Sequence, residues 1–259
     1  MVAPRPLASG NVAATSSKFA PLPGYSRSAI NRAGRELRRF MHQQGPGVSE
    51  ATLEAFQAMI LFRESFQTPL KKTVMGLRSM VCTEMGLERK GANVPVAQRL
   101  KRREQIVNKL ARLPSMELWT MGDIGGCRAV LDSRAQVDGV LRRIRKQNWE
   151  LHGRIRDRRD EPADSGYRAV HLIVIRDGRM IEIQLRDPQE HQWALAVERT
   201  GSRLGIGLKE GEGPADLREY FRLASLGMYL ERMEIQPDET FVRAFDAARQ
   251  QALPYFRRP

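Results

Sequence analysis

Apolar residues recur at two different periods along this chain, and the change of period divides it. From Ser26 to Met85 the spacing is helical. SRSAINRAGRELRRFMHQQ, Ser26–Gln44, reads as a basic amphipathic helix stopped by Gly45-Pro46-Gly47. A second helix takes Ser49 as its cap and runs through Glu50–Gln67, with Ala55, Met59, Phe62 and Phe66 on one stripe that Phe56 and Ile60 widen. Pro69 is expected to break or kink it before Leu70–Met85 resumes the period.

Beyond residue 93 short strands and helices alternate. Val94–Leu100 reads as a strand, Arg103–Leu113 as a helix, Asp123–Leu131 as a strand, Arg134–Lys146 as a helix and Trp149–Ile155 as a strand. The clearest period-2 signal follows, in Arg168–Arg176 and Arg179–Arg186. Asp177-Gly178 joins them, a pair suited to the positive φ of a type I′ turn. In the return strand Ile181, Ile183 and Leu185 point one way, and Met180, Glu182, Gln184 and Arg186 the other. A carboxylate on a covered sheet face is costly unless it binds a cation or accepts hydrogen bonds, so this hairpin reads as the floor of a site. Asp187–Arg203 is expected as a helix, Gly205–Pro214 as a loop, and Ala215–Glu234 and Asp238–Gln251 as closing helices. The alternation predicts an α/β (α+β) fold with a mixed, roughly five-stranded sheet flanked by helices. The organisation read from it is a flexible tail over 1–25, a helical region over 26–93, a sheet domain over 94–203 and a helical region over 204–259.

Charge adds the next constraint. Forty-three Lys and Arg against 30 Asp and Glu give +13, which attracts polyanions such as nucleotides or RNA, although Arg-rich usage in a GC-rich genome gives the same balance. Cys82 and Cys127 have no metal-ligand spacing. No apolar run approaches the roughly 20 residues that span a bilayer, and the N-terminus lacks the order of a signal peptide, so a cytoplasmic protein without membrane insertion is expected.

Four clusters carry candidate chemistry, each with a plainer alternative. Arg99 and Lys101 share a strand face near Lys109, as phosphate binding requires or as a solvated basic face would. Asp123 stands at the mouth of a strand beside Gly125-Gly126, as a Mg²⁺ ligand or a capping residue. Tyr167 after Gly166 suits a base-stacking platform or ordinary sheet-edge packing, and His171 a pocket wall or a core position. Glu182 suits a second metal ligand, a general base or a solvated sheet face. Together, two carboxylates among cations and an aromatic suit metal-assisted phosphoryl-type transfer to a nucleotide hydroxyl. Neither the Gly-rich Walker pattern nor a kinase HRD and DFG pair is present.

Over roughly Val94–Glu198 these residues resemble the RelA/SpoT-type synthetase domain, which makes (p)ppGpp alarmones. RLKRREQIVNKL resembles its RxKxxxSIxxKL stretch with Gln105 for Ser, DIGGCRAV its DIxGxR strand, RIRD its RxKD element with Arg156 for Lys, SGYRAVH its GYxSxH with Ala169 for Ser, and EIQLRD its EIQxRT. The resemblance implies a nucleotidyltransferase-like synthetase fold that moves the β,γ-pyrophosphate of ATP to a ribose 3′-hydroxyl. It implies Asp123 and Glu182 as the Mg²⁺ and catalytic pair, and Arg99, Lys101, Lys109 and Arg128 on the ATP side with Arg154 and Arg156 near phosphates. Tyr167 and His171 would line the acceptor pocket. Simple alternation, however, sets Asp123 and Arg128 on opposite sheet faces.

No HD-type hydrolase pattern precedes the stretch, so a small, single-domain synthetase is expected. The family's DYI segment is Asp157-Arg158-Arg159 here, and its Pro-Lys is Pro162-Ala163, beside the acceptor pocket. With the basic charge, those changes favour a polyanionic acceptor. The expectation is a growth-inhibiting toxin of the small-synthetase branch that modifies the tRNA 3′-CCA end and is held by a cognate antitoxin. GDP or GTP as acceptor, an adenine nucleotide, and a non-catalytic basic RNA-binding module are the alternatives. The oligomeric state stays open.

Overall fold

The structure, a computed structural model, describes residues 22–43, 47–88 and 93–256. Most of the expected tail (1–21) and the Gly45-Pro46 stop lie outside the described residues.

Three helices come first: α1 (Arg27–His42), α2 (Glu50–Glu64) and α3 (Gln67–Glu84). Ser26 and Ser49 cap α1 and α2, accepting from the backbone N–H of Ala29 and Thr52. The break expected at Pro69 falls earlier, at Ser65-Phe66, and Pro69 sits in the first turn of α3. A first-turn residue has no intrahelical use for its N–H, so proline starts this helix rather than kinking it.

The sheet comprises β1 (Val96–Leu100), β2 (Gly125–Val130), β3 (Arg156–Asp157), β4 (Val170–Arg176) and β5 (Arg179–Arg186), in the order β1-β2-β5-β4-β3. Only β2 and β5 pair in parallel; the other neighbours are antiparallel. Asp177 (φ 48°) and Gly178 (φ 69°) both adopt the positive φ expected of the hairpin turn. The strand expected over Trp149–Ile155 does not form as one piece. Ile175 donates to the Glu150 carbonyl and His152 to that of Ile173, then Gly153 (φ 75°) turns the chain out before Arg156-Asp157 pairs with β4 again. A single left-handed residue is enough to interrupt the ladder.

Helices α4 (Arg103–Arg112), α5 (Arg134–Lys146), α6 (Pro188–Leu204), α7 (Ala215–Arg232) and α8 (Glu239–Phe256) complete the chain, with 3₁₀ turns at Leu118–Thr120 and Leu208–Glu210. α6 opens with a capping box: the Asp187 carboxylate accepts from the Glu190 N–H, and the Glu190 carboxylate from that of Asp187. α8 runs through Pro254 to Phe256, past the stop expected at Gln251.

The aliphatic face of the hairpin (Leu172, Val174, Ile181, Ile183, Leu185) shares one core with Met59, Phe62, Leu77 and Met80 of the first helices. A second, smaller core gathers Tyr167, Trp193, Leu217, Phe221 and Ala252 where α6, α7 and α8 meet the start of β4. Two hollows are lined by residues of the polar face of the sheet. No described helix is long and apolar enough to cross a membrane.

Candidate active site

Strand register aligns the polar face in two rows. Arg99 of β1, Gly126 of β2, Glu182 of β5 and Ile173 of β4 stand side by side. Next to them run Ala97, Arg128, Gln184, His171 and Arg156, one from each strand. Asp123 lies in the turn two residues before β2, so strand alternation does not reach it. The expectation that Asp123 and Arg128 face opposite ways fails for that reason. Both line one cleft of about 400 Å³, with Arg99, Lys101, Lys109 and Glu182 on its walls.

Asp123 is held by lysines. Lys101, just past β1, and Lys109, on α4, approach its Oδ2 at 3.1 and 2.8 Å. Its Oδ1 is buried and has no hydrogen-bond partner among the described residues. Burial pushes the carboxyl up, but the charges and hydrogen bonds of the two lysines outweigh this and hold it below the ordinary carboxylate value.

Glu182 is held by its own sheet neighbours. Its Oε1 meets His171 Nδ1 at 2.9 Å, and its Oε2 accepts from Gln184 Nε2 at 2.8 Å. His171 Nε2 meets the Tyr167 hydroxyl at 2.6 Å, and Arg186 Nη2 donates to that hydroxyl at 2.7 Å and to Gln184 Oε1 at 2.8 Å. The bonds close a ring of five side chains. Burial raises the Glu182 carboxyl and the charge of Asp123 adds to that, yet the bonds from His171 and Gln184 bring it below its ordinary value.

The donor set fits a hard cation supplied with its substrate. Among the described residues no three His, Cys, Asp or Glu side chains gather as a ligand cluster. A Mg²⁺ ion held by Asp123 and Glu182 would have two carboxylates here and would take most of its shell from phosphate and water, the usual habit of that ion. The orphaned Asp123 Oδ1 would be its ligand atom on that side.

Other expected residues are distributed differently. Arg154 and Arg156, expected near the donor phosphates, line a separate hollow of about 820 Å³ with Arg158, His152 and Tyr167. Glu182 and His171 border both spaces and form the wall between them. Tyr167, expected as a stacking platform, is only 8% exposed. Its ring lies edge-on to His171 and tilted against Trp193, so the open face that stacking needs is not formed in this arrangement. Of the two arginines that replace the family's aromatic and aliphatic pair, only Arg158 faces the hollow. Arg159 is buried and donates to Asp157 and Asp138, a structural ion pair.

Three cleft residues escape sequence reasoning. Arg112 follows Lys109 by one helical step of three, a legible spacing. Glu198, on α6, stands 3.8 Å from Arg99. Lys209 comes from the 3₁₀ turn between Gly205 and Gly211, both left-handed, and lies over the Tyr167 ring at 5.4 Å. Nothing in its local sequence announces it.

Residues 98–200 match the family described as a region found in RelA / SpoT proteins. Uncharacterised proteins of Mycobacterium bovis and Mycobacterium tuberculosis are 27% identical to this chain over 197 residues, 75% of its length. The match spans 66% of those relatives, just under two thirds. Among solved structures, the small alarmone synthetase 1 of Bacillus subtilis bound to its product pppGpp is similar with a TM-score of 0.54 at 22% identity, covering 66% of this chain and 93% of that one. A GTP pyrophosphokinase family protein of Streptococcus pneumoniae is similar with a TM-score of 0.52 at 22% identity, covering 73% and 96%. At those identities the likeness is one of fold.

Proposed function

We propose that this chain, whose residues 98–200 are a RelA/SpoT-type domain, is a pyrophosphokinase that uses ATP as donor and a ribose 3′-hydroxyl as acceptor. The observation that carries the reading is the pair Asp123 and Glu182 on one cleft walled by Arg99, Lys101, Lys109 and Arg128. That many cations around two carboxylates suit a triphosphate.

In this reading the acceptor oxygen attacks the β-phosphorus of ATP, the bond from that phosphorus to the α-phosphate oxygen breaks, and AMP leaves. Lys101 and Lys109 turn from Asp123 to the transferring phosphates, which leaves both Asp123 oxygens available. Glu182 receives the hydroxyl proton and is held for that task by its sheet neighbours. Asp123 and Glu182 would hold a Mg²⁺ ion, which would offset charge on the transferred group. The acceptor enters from the hollow on the far side of Glu182, where Arg154, Arg156 and Arg158 meet its phosphates and His171 its sugar. Tyr167 serves that side through His171.

For the acceptor we favour a polynucleotide, the tRNA 3′-CCA end, and with it a growth-inhibiting role restrained by an antitoxin. Three arginines around a hollow of about 820 Å³ support this, as does the +13 charge. GDP or GTP is the second reading, favoured by the likeness in fold to an alarmone synthetase bound to pppGpp and to a GTP pyrophosphokinase family protein. γ-Labelled ATP offered with tRNA or with guanine nucleotide separates them. Label in RNA supports the first, label in a tetra- or pentaphosphate the second. Transfer to neither, by protein that binds RNA, returns the chain to a non-catalytic RNA-binding module.

A further inference from the structure

The ring around Glu182 has a direction, set by which atoms can give a proton. A guanidinium has no acceptor, and an ionised carboxylate has no donor. Arg186 therefore gives to both of its neighbours, the Tyr167 oxygen and Gln184 Oε1. Gln184 is left with its amide N–H for Glu182 Oε2. Tyr167, already accepting from Arg186, spends its own proton on His171 Nε2, and His171 turns Nδ1–H to Glu182 Oε1. Two arms thus run in one sense from guanidinium to carboxylate, one of three bonds through the tyrosine and histidine, one of two through the glutamine.

We infer that Arg186 is a positioning residue for Glu182: through Tyr167–His171 and Gln184 it fixes the imidazole tautomer, the amide orientation and the carboxylate plane. Arg186 itself is 1% exposed and makes no ion pair with a carboxylate among the described residues. Its charge lies 5.1 Å from the Tyr167 ring centre, a cation–π contact on the same arm. A buried guanidinium held only by neutral groups is expensive, and the sense it imposes on the ring accounts for keeping it. Outer partners of this type typically change activity by about 10- to 100-fold. The catalytic consequence rests on the proposed pyrophosphokinase reading; the wiring does not.

The full chain labelled with ¹⁵N-histidine reports the tautomer directly, with His171→Asn assigning the signal among the four histidines. At one neutral pH and without substrate, His171 is expected as Nδ1–H. An Nε2–H signal, or protonation of both nitrogens, overturns the inference. Arg186→Met is expected to mix the tautomers and lower kcat about 10- to 100-fold with little change in the KM for ATP, and Arg186→Lys to restore part of both. Should Arg186→Met fail to fold, Tyr167→Phe removes one hydroxyl and cuts the same arm. A folded Tyr167→Phe protein with an unchanged tautomer and unchanged kcat sinks the proposal. A wild-type chain with the expected tautomer but no transfer activity counts against the pyrophosphokinase reading and leaves the wiring intact.

Discussion

On the Asp123 side of the cleft the partners are long and flexible: two lysines, one just past β1 and one on α4, converge on a single oxygen of a carboxylate in a turn. On the Glu182 side the partners are fixed to the sheet and its approach, and each is bonded to the next. Both carboxyls sit below their ordinary values, by opposite means. Lysines can follow a phosphate and still carry their charge; a closed ring cannot rearrange without breaking several bonds. One side is suited to change partners when substrate arrives, the other to stay where it is.

The sharpest break of that contrast is to remove each carboxylate in turn. Asp123→Ala and Glu182→Ala are each expected to lower transfer by about a thousandfold or more, with circular dichroism and melting unchanged in shape. Activity within tenfold of wild type for either one ends the two-carboxylate account. Next come the lysines: Lys101→Ala or Lys109→Ala is expected to raise the KM for ATP about tenfold, near 1.4 kcal/mol, and to leave acceptor KM alone. On the acceptor side, Arg158→Ala is expected to weaken RNA use evenly across sequences and to reduce the salt slope of binding by about one. Arg159→Ala would instead show as lost stability, since its partners Asp157 and Asp138 are structural.

A gentler test uses pH. For a carboxyl whose folded value is depressed, the stability it contributes is complete above its unfolded value of about 4 and is lost as pH falls through the folded value. The contribution of Asp123 and Glu182, read as the difference in melting temperature between wild type and the Asp123→Asn or Glu182→Gln protein, should therefore hold level from neutrality to about pH 5 and decline only below about pH 4. Smallest of all is a negative result. Burial and then the charge of Glu182 push the Cys127 thiol up to about 12, so alkylation at pH 8 should wait for unfolding.

The sheet and its floor were legible because β4 and β5 follow period 2 and Asp177-Gly178 allows one turn. The cleft was legible where motif residues fall on strands in register, as Gly126 and Glu182 do. Sequence spacing failed where one residue overrode a pattern: Gly153 split an expected strand, and Pro69 began a helix rather than ending one. It failed again where chemistry depends on contacts distant in the chain. Arg158 and Arg159 look alike in sequence, and only the position of Asp138 on α5 separates a surface cation from a buried tie. Alternation misplaced Asp123 because it assumed a strand that begins two residues before the one that forms.

The strand order has a bearing on how the chain comes to life. β5 is the last strand synthesised, yet it sits in the middle of the sheet and joins β1-β2 to β4-β3. Until the ribosome has released that segment, the two halves have no common partner, and the parallel pairing that brings Glu182 beside Gly126 must close a loop of more than fifty residues. Competence therefore cannot precede the stretch of polypeptide that joins the two halves of the sheet, and a truncated product ending before residue 179 would lack both that central strand and Glu182.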